Sequence, residues 1–149
     1  MTEIRFYHLQ MTPLERALPK LVAKVLASGA RAVIVLGSDE RVTQIDGALW
    51  TYDPNSFLPH GSARDSRPQD QPVWLTTADE NPNGAGVLIL ADGATSSRIG
   101  EFDKCLEIFD GNDANSVAAA RERWRTYKSA AHQLTYWQQD DSGRWKQME

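Results

Sequence analysis

The chain is poor in the residues that mark most small-protein chemistries. It has one cysteine, Cys105, in 149 residues, which excludes an intrachain disulfide and a multi-cysteine zinc site. Its histidines, His8, His60 and His132, have no metal-ligand spacing and form no HExxH motif. No metal and no cofactor is expected. Apolar runs such as Ala32 to Leu36 are far too short to cross a bilayer. The opening Met-Thr-Glu-Ile-Arg lacks a basic-then-apolar secretory pattern, so a cytoplasmic protein with no membrane partner is expected. There is no GxGxxG, no Walker A loop, no internal repeat and no domain linker. Cations are not in excess either: 16 basic residues face 20 acidic ones, a net charge of -4. Phosphate binding needs neutralising cations, so direct, strong nucleic-acid binding by the whole molecule is not expected. A local basic patch has to be sought separately.

What remains is an ordinary globular balance, 41% hydrophobic and 24% charged, and that argues against disorder. The length suits one domain over 1–149, burying roughly two-thirds of the unfolded chain's surface. Glu3 to Leu9 alternates as a strand, with Ile4, Phe6 and His8 on one face and Arg5, Tyr7 and Leu9 on the other. Thr12-Pro13-Leu14-Glu15 reads as a helix start: Thr12 caps, Pro13 takes the first helical position and Glu15 completes a capping box. Leu14, Leu18, Leu21, Val22, Val25 and Leu26 follow at helical spacing, with Gly29 as terminator. Pro19 should kink that helix.

Arg31 to Leu36 is β-branched and lies between Gly29 and Gly37, which suggests a central strand covered on both faces. Ser38 or Asp39 can cap the next helix. Strand, helix, strand, helix points to an α/β protein with a mostly parallel sheet flanked by helices. Tyr52 to Pro72, with four prolines, reads as a long loop or flap of the kind that often carries function. Val73 to Thr76, Gly86 to Leu90 and Phe102 to Phe109 are further strand candidates, with a turn at Asn81-Pro82-Asn83-Gly84. A last helix is expected over about residues 116–131, capped by Asp113 or Asn115. Leu134 to Gln139 should return as a final edge strand, and the polar tail 140–149 should fray unless Trp145 tacks it down.

No catalytic constellation emerges. Cys105 sits in an apolar run, where cysteine behaves as a small hydrophobe. After the second strand, Gly37-Ser38 is followed by Asp39 and Glu40, and those acids would repel a phosphate at that helix start. Asp79-Glu80-Asn81 reads as a solvated loop, and Asp110, Asp113 and Asn115 as capping residues rather than cation ligands.

Two features stand out. On the last helix, at about 100° per residue, Val117, Trp124, Arg125 and Lys128 all lie within about 60° of Arg121. Ala119, Ala120, Tyr127, Ala130 and Ala131 take the other side, so the small residues should meet the sheet and the basic stripe should face solvent. That stripe is either a solvated face neutralised by Glu122 and nearby acids, or a site for something anionic with an apolar end. Arginine makes bidentate contacts to carboxylates, and an exposed Trp offers contact area at low entropy cost. The second feature is the Leu49-to-His60 segment, with Trp50, Tyr52, Phe57, Pro59 and His60. It is either a satellite core under the loop or a docking surface for a partner protein.

Several segments taken together, in order along nearly the whole chain, carry a resemblance: Arg5-Phe6-Tyr7, Ala48-Leu49-Trp50, Ser56-Phe57-Leu58-Pro59-His60, and Ala120-Arg121-Glu122-Arg123-Trp124-Arg125 with Tyr127-Lys128. The chain resembles the chi subunit of bacterial DNA polymerase III holoenzyme. The resemblance implies a single Rossmann-like three-layer domain without nucleotide catalysis. It also implies binding of the acidic C-terminal tail of single-stranded-DNA-binding protein, which ends in an aromatic residue. The family's basic and aromatic positions fall on Arg121, Trp124 and Arg125. A family lysine falls at Val117, and Lys128 lies one turn beyond the stripe's centre. A second implied surface, Trp50, Tyr52, Phe57, Pro59 and His60, would take the psi subunit of the clamp loader or a helicase-like partner. The expectation is a non-catalytic adaptor of the replisome. The competing reading is a small Rossmann-like nucleotide-binding hydrolase or transferase, which would need a phosphate-cradling loop at a strand's carboxyl end.

Overall fold

The computed structural model describes residues 2–51, 59–62 and 67–149. The chain runs β1 (Glu3–Leu9), α1 (Leu14–Ala27), β2 (Ala32–Val35), α2 (Asp39–Thr51), β3 (Gly61–Ser62), β4 (Val73–Thr76), β5 (Val87–Leu90), β6 (Lys104–Asp110), α3 (Ala114–Ser129), β7 (Gln133–Gln139) and β8 (Trp145–Gln147). The strands form one sheet in the order β3-β4-β2-β5-β6-β1-β7-β8. Every pairing is parallel except β7 with β8.

The burial pattern follows from the sequence. All residues of β2, β4 and β5 are buried, as near-continuous apolar runs in a doubly covered parallel sheet should be. β1 alternates: Tyr7 and Leu9 pack under α1 and α2, while Ile4 and Phe6 pack under α3. The result is the expected three-layer α/β arrangement, two helices on one face and one on the other. The turn at Asn81–Gly84 is also present. Buried Asn83 donates its Nδ2 protons to the carbonyls of Ala32, at 3.1 Å, and Gln71, at 2.9 Å, tying the turn to the sheet.

Local expectations change at the start of α1 and at the sheet edge. Thr12 does not cap α1. Pro13 occupies the N-cap position, and the Thr12 hydroxyl accepts from Gln139 Nε2 at 2.7 Å. Gln139 Oε1 in turn accepts from the backbone amides of Gln10, Met11 and Thr12. A buried side chain from β7 therefore does the work expected of a local cap. Pro19 lies inside α1, where the sequence placed it. β7 is not an edge strand, because β8 pairs along its outer side. The tail carries a strand and follows the second of its two expectations: Trp145 tacks it down, meeting the Tyr7 ring edge-on at 4.9 Å. Of the long loop, residues 52–58 and 63–66 lie outside the described residues, and Gly61–Ser62 adds a short strand beside β4.

Gly111, in the turn from β6 to α3, is required by space. Its amide donates to the Leu9 carbonyl at 2.7 Å, and a Cβ there would overlap the His8 ring. β1 and the start of α3 are thereby held in close register.

Candidate functional site

α3 begins where its side chains dictate. Asp113 accepts from the Asn115 amide at 3.1 Å and from the Ser116 hydroxyl at 2.9 Å, a standard N-cap. The helix then packs on β6 and β7, and against Phe6 of β1, with Ala120 and Tyr127 buried. Its orientation differs from the small-side-in expectation. Ala119, Ala130 and Ala131 are exposed, while Val117 and Trp124 lean on the core. Two causes are visible. Trp124 and Val117 bury more apolar area than alanines can. Arg123 is drawn inward to the buried Glu107 carboxylate, its Nε at 2.9 Å from Oε2, and the Tyr127 hydroxyl donates to the same oxygen at 2.7 Å. Burial pushes the Glu107 carboxyl up, while Arg123 and Tyr127 pull it back down.

This rotation makes a groove rather than a flat basic stripe. Trp124 meets Phe6 edge-on at 5.3 Å and Tyr136 at 6.0 Å, and Tyr136 lies 6.2 Å from Phe109. The groove above them has a volume of about 440 Å³. Val117, Arg121, Trp124 and Arg125 form one wall, and Gln138, Met148 and Glu149 form the other. Four of the five residues expected as one stripe are thus brought together. Lys128 is exposed one turn away and does not line the groove. The sequence reading missed Phe6, Phe109, Tyr136, Met148 and Glu149, which arrive from other elements. Phe6 had two sequence signals, its place on one face of β1 and the Arg5-Phe6-Tyr7 segment, and neither pointed to this groove.

Among the described residues, Arg121 makes no ion pair or hydrogen bond, whereas Arg125 pairs with Glu122 at 3.0 Å in an exposed contact. The Arg121 charge is felt in the groove floor. Burial pushes the His8 imidazole below its usual range, and Arg121 adds to that shift. His8 Nδ1 lies 2.5 Å from the Tyr136 hydroxyl. A histidine with a lowered folded-state value contributes stability above the ordinary histidine range, about 6.5, and loses it as pH falls toward the lower native value. Denaturant unfolding between pH 8 and pH 5 should therefore show declining stability, and His8→Asn should flatten that slope. An unchanged slope in the variant would remove His8 from the account.

The second predicted surface lies elsewhere. α2 packs on the face opposite α3, toward the β3–β4 edge. Trp50 is 53% exposed, and its ring is 4.9 Å from that of buried His60. His60 Nε2 lies 2.8 Å from Asp46 Oδ1. Pro59 is half-buried beside them, and Tyr52 and Phe57 lie outside the described residues.

The nucleotide reading meets an unfavourable site. At the carboxyl ends of β1 and β6 the chain leaves to opposite faces, into α1 and α3, which is where such folds hold ligands. The crevice there, about 700 Å³, is lined by Glu15, Asp92, Asp110 and Asp113. Its two arginines are committed: Arg41 to Glu15, Asp92 and Gln44, and Arg123 to Glu107. After β2, Ser38 already caps α2 by accepting from the Arg41 amide at 3.2 Å. Burial pushes the Cys105 thiol well up, and Glu107 adds to the shift, the opposite of an activated nucleophile. No group of three potential metal ligands occurs among the described residues, and no described helix is long and apolar enough to cross a membrane.

Residues 1–135 match the family described as "DNA polymerase III chi subunit, HolC". A protein of Rickettsia prowazekii named "Probable DNA polymerase III subunit chi" is 28% identical over 109 residues, covering 73% of this chain and 66% of that protein's length. "DNA polymerase III subunit chi" of Haemophilus influenzae is 27% identical over 108 residues, covering 70% of this chain and 73% of that protein.

Proposed function

Since the chain belongs to the DNA polymerase III chi subunit family, we propose that it is a non-catalytic adaptor in cytoplasmic DNA replication. It links the clamp-loader assembly to the acidic C-terminal tail of single-stranded-DNA-binding protein. The observation that carries this reading is the groove beside α3: an aromatic floor of Phe6, Phe109 and Tyr136 under a rim cation, Arg121, that has no partner among the described residues. A peptide ending in an aromatic residue presents a ring and a carboxylate side by side, the two groups such a groove accepts.

Arg121 or Arg125 takes the terminal carboxylate. Trp124 and Val117 wall the pocket for the last ring, with Val117 supplying contact area where the family places a lysine. Lys128, outside the groove, steers the upstream acids. The exposed Trp50 with Pro59 and His60 is the surface for the psi subunit or a helicase-like partner, away from the groove and on the other face of the sheet. An acidic chain with one cationic rim can hold an acidic peptide without clinging to DNA.

The test is a titration of a fluorescent peptide carrying the host's tail sequence, repeated across salt and with the final aromatic removed. Saturable binding that weakens with salt is expected. Loss of the buried ring should weaken binding by roughly thirtyfold, the equivalent of about 2 kcal/mol. No saturable binding, or equal binding of the shortened peptide, overturns the proposal.

A further inference from the structure

The family match ends at residue 135, yet one wall of the groove lies beyond it. The chain after β7 turns tightly. Asp140 Oδ1 accepts from the amides of Ser142 and Arg144, at 2.9 and 3.0 Å. Gly143 takes a left-handed φ of 85°, which glycine adopts without a Cβ penalty. β8 then returns along β7. Trp145 points to the α1 face, onto Tyr7. Side chains alternate along a strand, so Met148 falls on the α3 face, where it lines the groove. Backbone bonds hold it there, with the Met148 amide donating to the Tyr136 carbonyl at 2.7 Å.

Two properties of this wall are unexplained by folding alone. Met148 is anchored through its backbone, yet the residue stays 51% exposed at the edge of an aromatic floor. Glu149 places a carboxylate on the rim opposite Arg121. Both charges are felt at the same Tyr136 ring, where burial raises the phenol, Arg121 lowers it and Glu149 raises it.

We propose that Met148 and Glu149 are specificity-determining residues of the groove. Met148 closes over the ligand's aromatic ring, and Glu149 repels the ligand's carboxylate so that it seats only at the Arg121 rim. This rests on the tail-peptide reading above. A thioether beside an aromatic ring is a favourable and adaptable contact. A groove cationic on one rim and anionic on the other admits an acidic peptide in one orientation.

The experiment titrates wild type, Met148→Ala and Glu149→Gln with the full tail peptide and with the version lacking its last aromatic. Met148→Ala should weaken the full peptide about fivefold and leave the shortened one unchanged. Glu149→Gln should tighten the full peptide about two- to threefold at low salt, with the gain fading as salt rises. Met148→Ala without effect, or with equal effect on both peptides, overturns the clamp. Glu149→Gln without a salt-dependent gain overturns the orienting role. Both failures are read against wild-type binding of the full peptide; absence of that binding instead defeats the tail-peptide reading and this inference with it. Both sites are on the surface, and unchanged melting temperatures will confirm that the variants fold.

Discussion

Arg123→Ala should destabilise the protein by about 3 to 5 kcal/mol, the usual cost of removing one member of a buried ion pair. The Glu107 side chain is 1% exposed and that of Arg123 13%, so the pair is largely desolvated and removing the guanidinium leaves a buried carboxylate without its cation. In the variant the carboxylate would keep only the Tyr127 hydroxyl. The pH dependence gives a second reading of the same contact. Burial already holds the Glu107 carboxyl above its usual range, with Arg123 opposing that shift. Without Arg123 the upward shift grows. A carboxyl with a raised folded-state value binds its proton more readily when folded, so the variant should regain stability as pH falls through that value. Urea unfolding at two pH values would check both statements. A loss below about 1 kcal/mol would place the pair with weak surface contacts. Exchanging both partners for apolar residues of similar size, Glu107→Leu with Arg123→Met, should recover much of the loss, because no buried charge is then stranded. The consequence reaches the groove, since this pair and Tyr127 fix the rotation of α3.

Arg121→Ala should behave in the opposite way, with little change in melting temperature and a large loss of binding. Arg121 has no partner among the described residues, so its removal strands nothing in the free protein. In the complex it would be the cation beside the ligand's carboxylate, and truncating one side of such a desolvated pair costs about 2 kcal/mol or more, roughly thirtyfold in affinity. Arg125→Ala should cost less, because Arg125 is already engaged with Glu122 in an exposed contact. Lys128→Ala should act mainly on the association rate and its salt dependence. Fluorescence titration of the tail peptide ranks the three. Equal affinity in wild type and Arg121→Ala would remove Arg121 from the site, and a larger loss in Lys128→Ala would move the contact one turn along the helix.

Much was legible in the residue order, because short-range rules govern it. The β-branched run around Ala32–Val35, the alternation of β1, the turn at Asn81–Gly84 and the Asp113 cap each depend on neighbours a few positions away. So does the clustering of Arg121, Trp124 and Arg125 on one part of a helix, which follows from the helical repeat alone. What the helix would turn toward the sheet was a different matter. Periodicity ranks faces by size and polarity, and here it favoured the alanines. The outcome was decided by Glu107, a carboxylate on another element that drew Arg123 inward and tipped Trp124 onto Phe6. The start of α1 shows the same thing: the local pattern offered Thr12 as a cap, and Gln139, 127 positions away, took that hydroxyl for itself. The sequence by itself determined a parallel α/β chain with a cationic, aromatic helix near its end. Only the tertiary structure made that helix one wall of a groove, because the floor and the facing wall come from β1, β6, β7 and the segment after β8, brought together by sheet pairing over distances that no local periodicity spans.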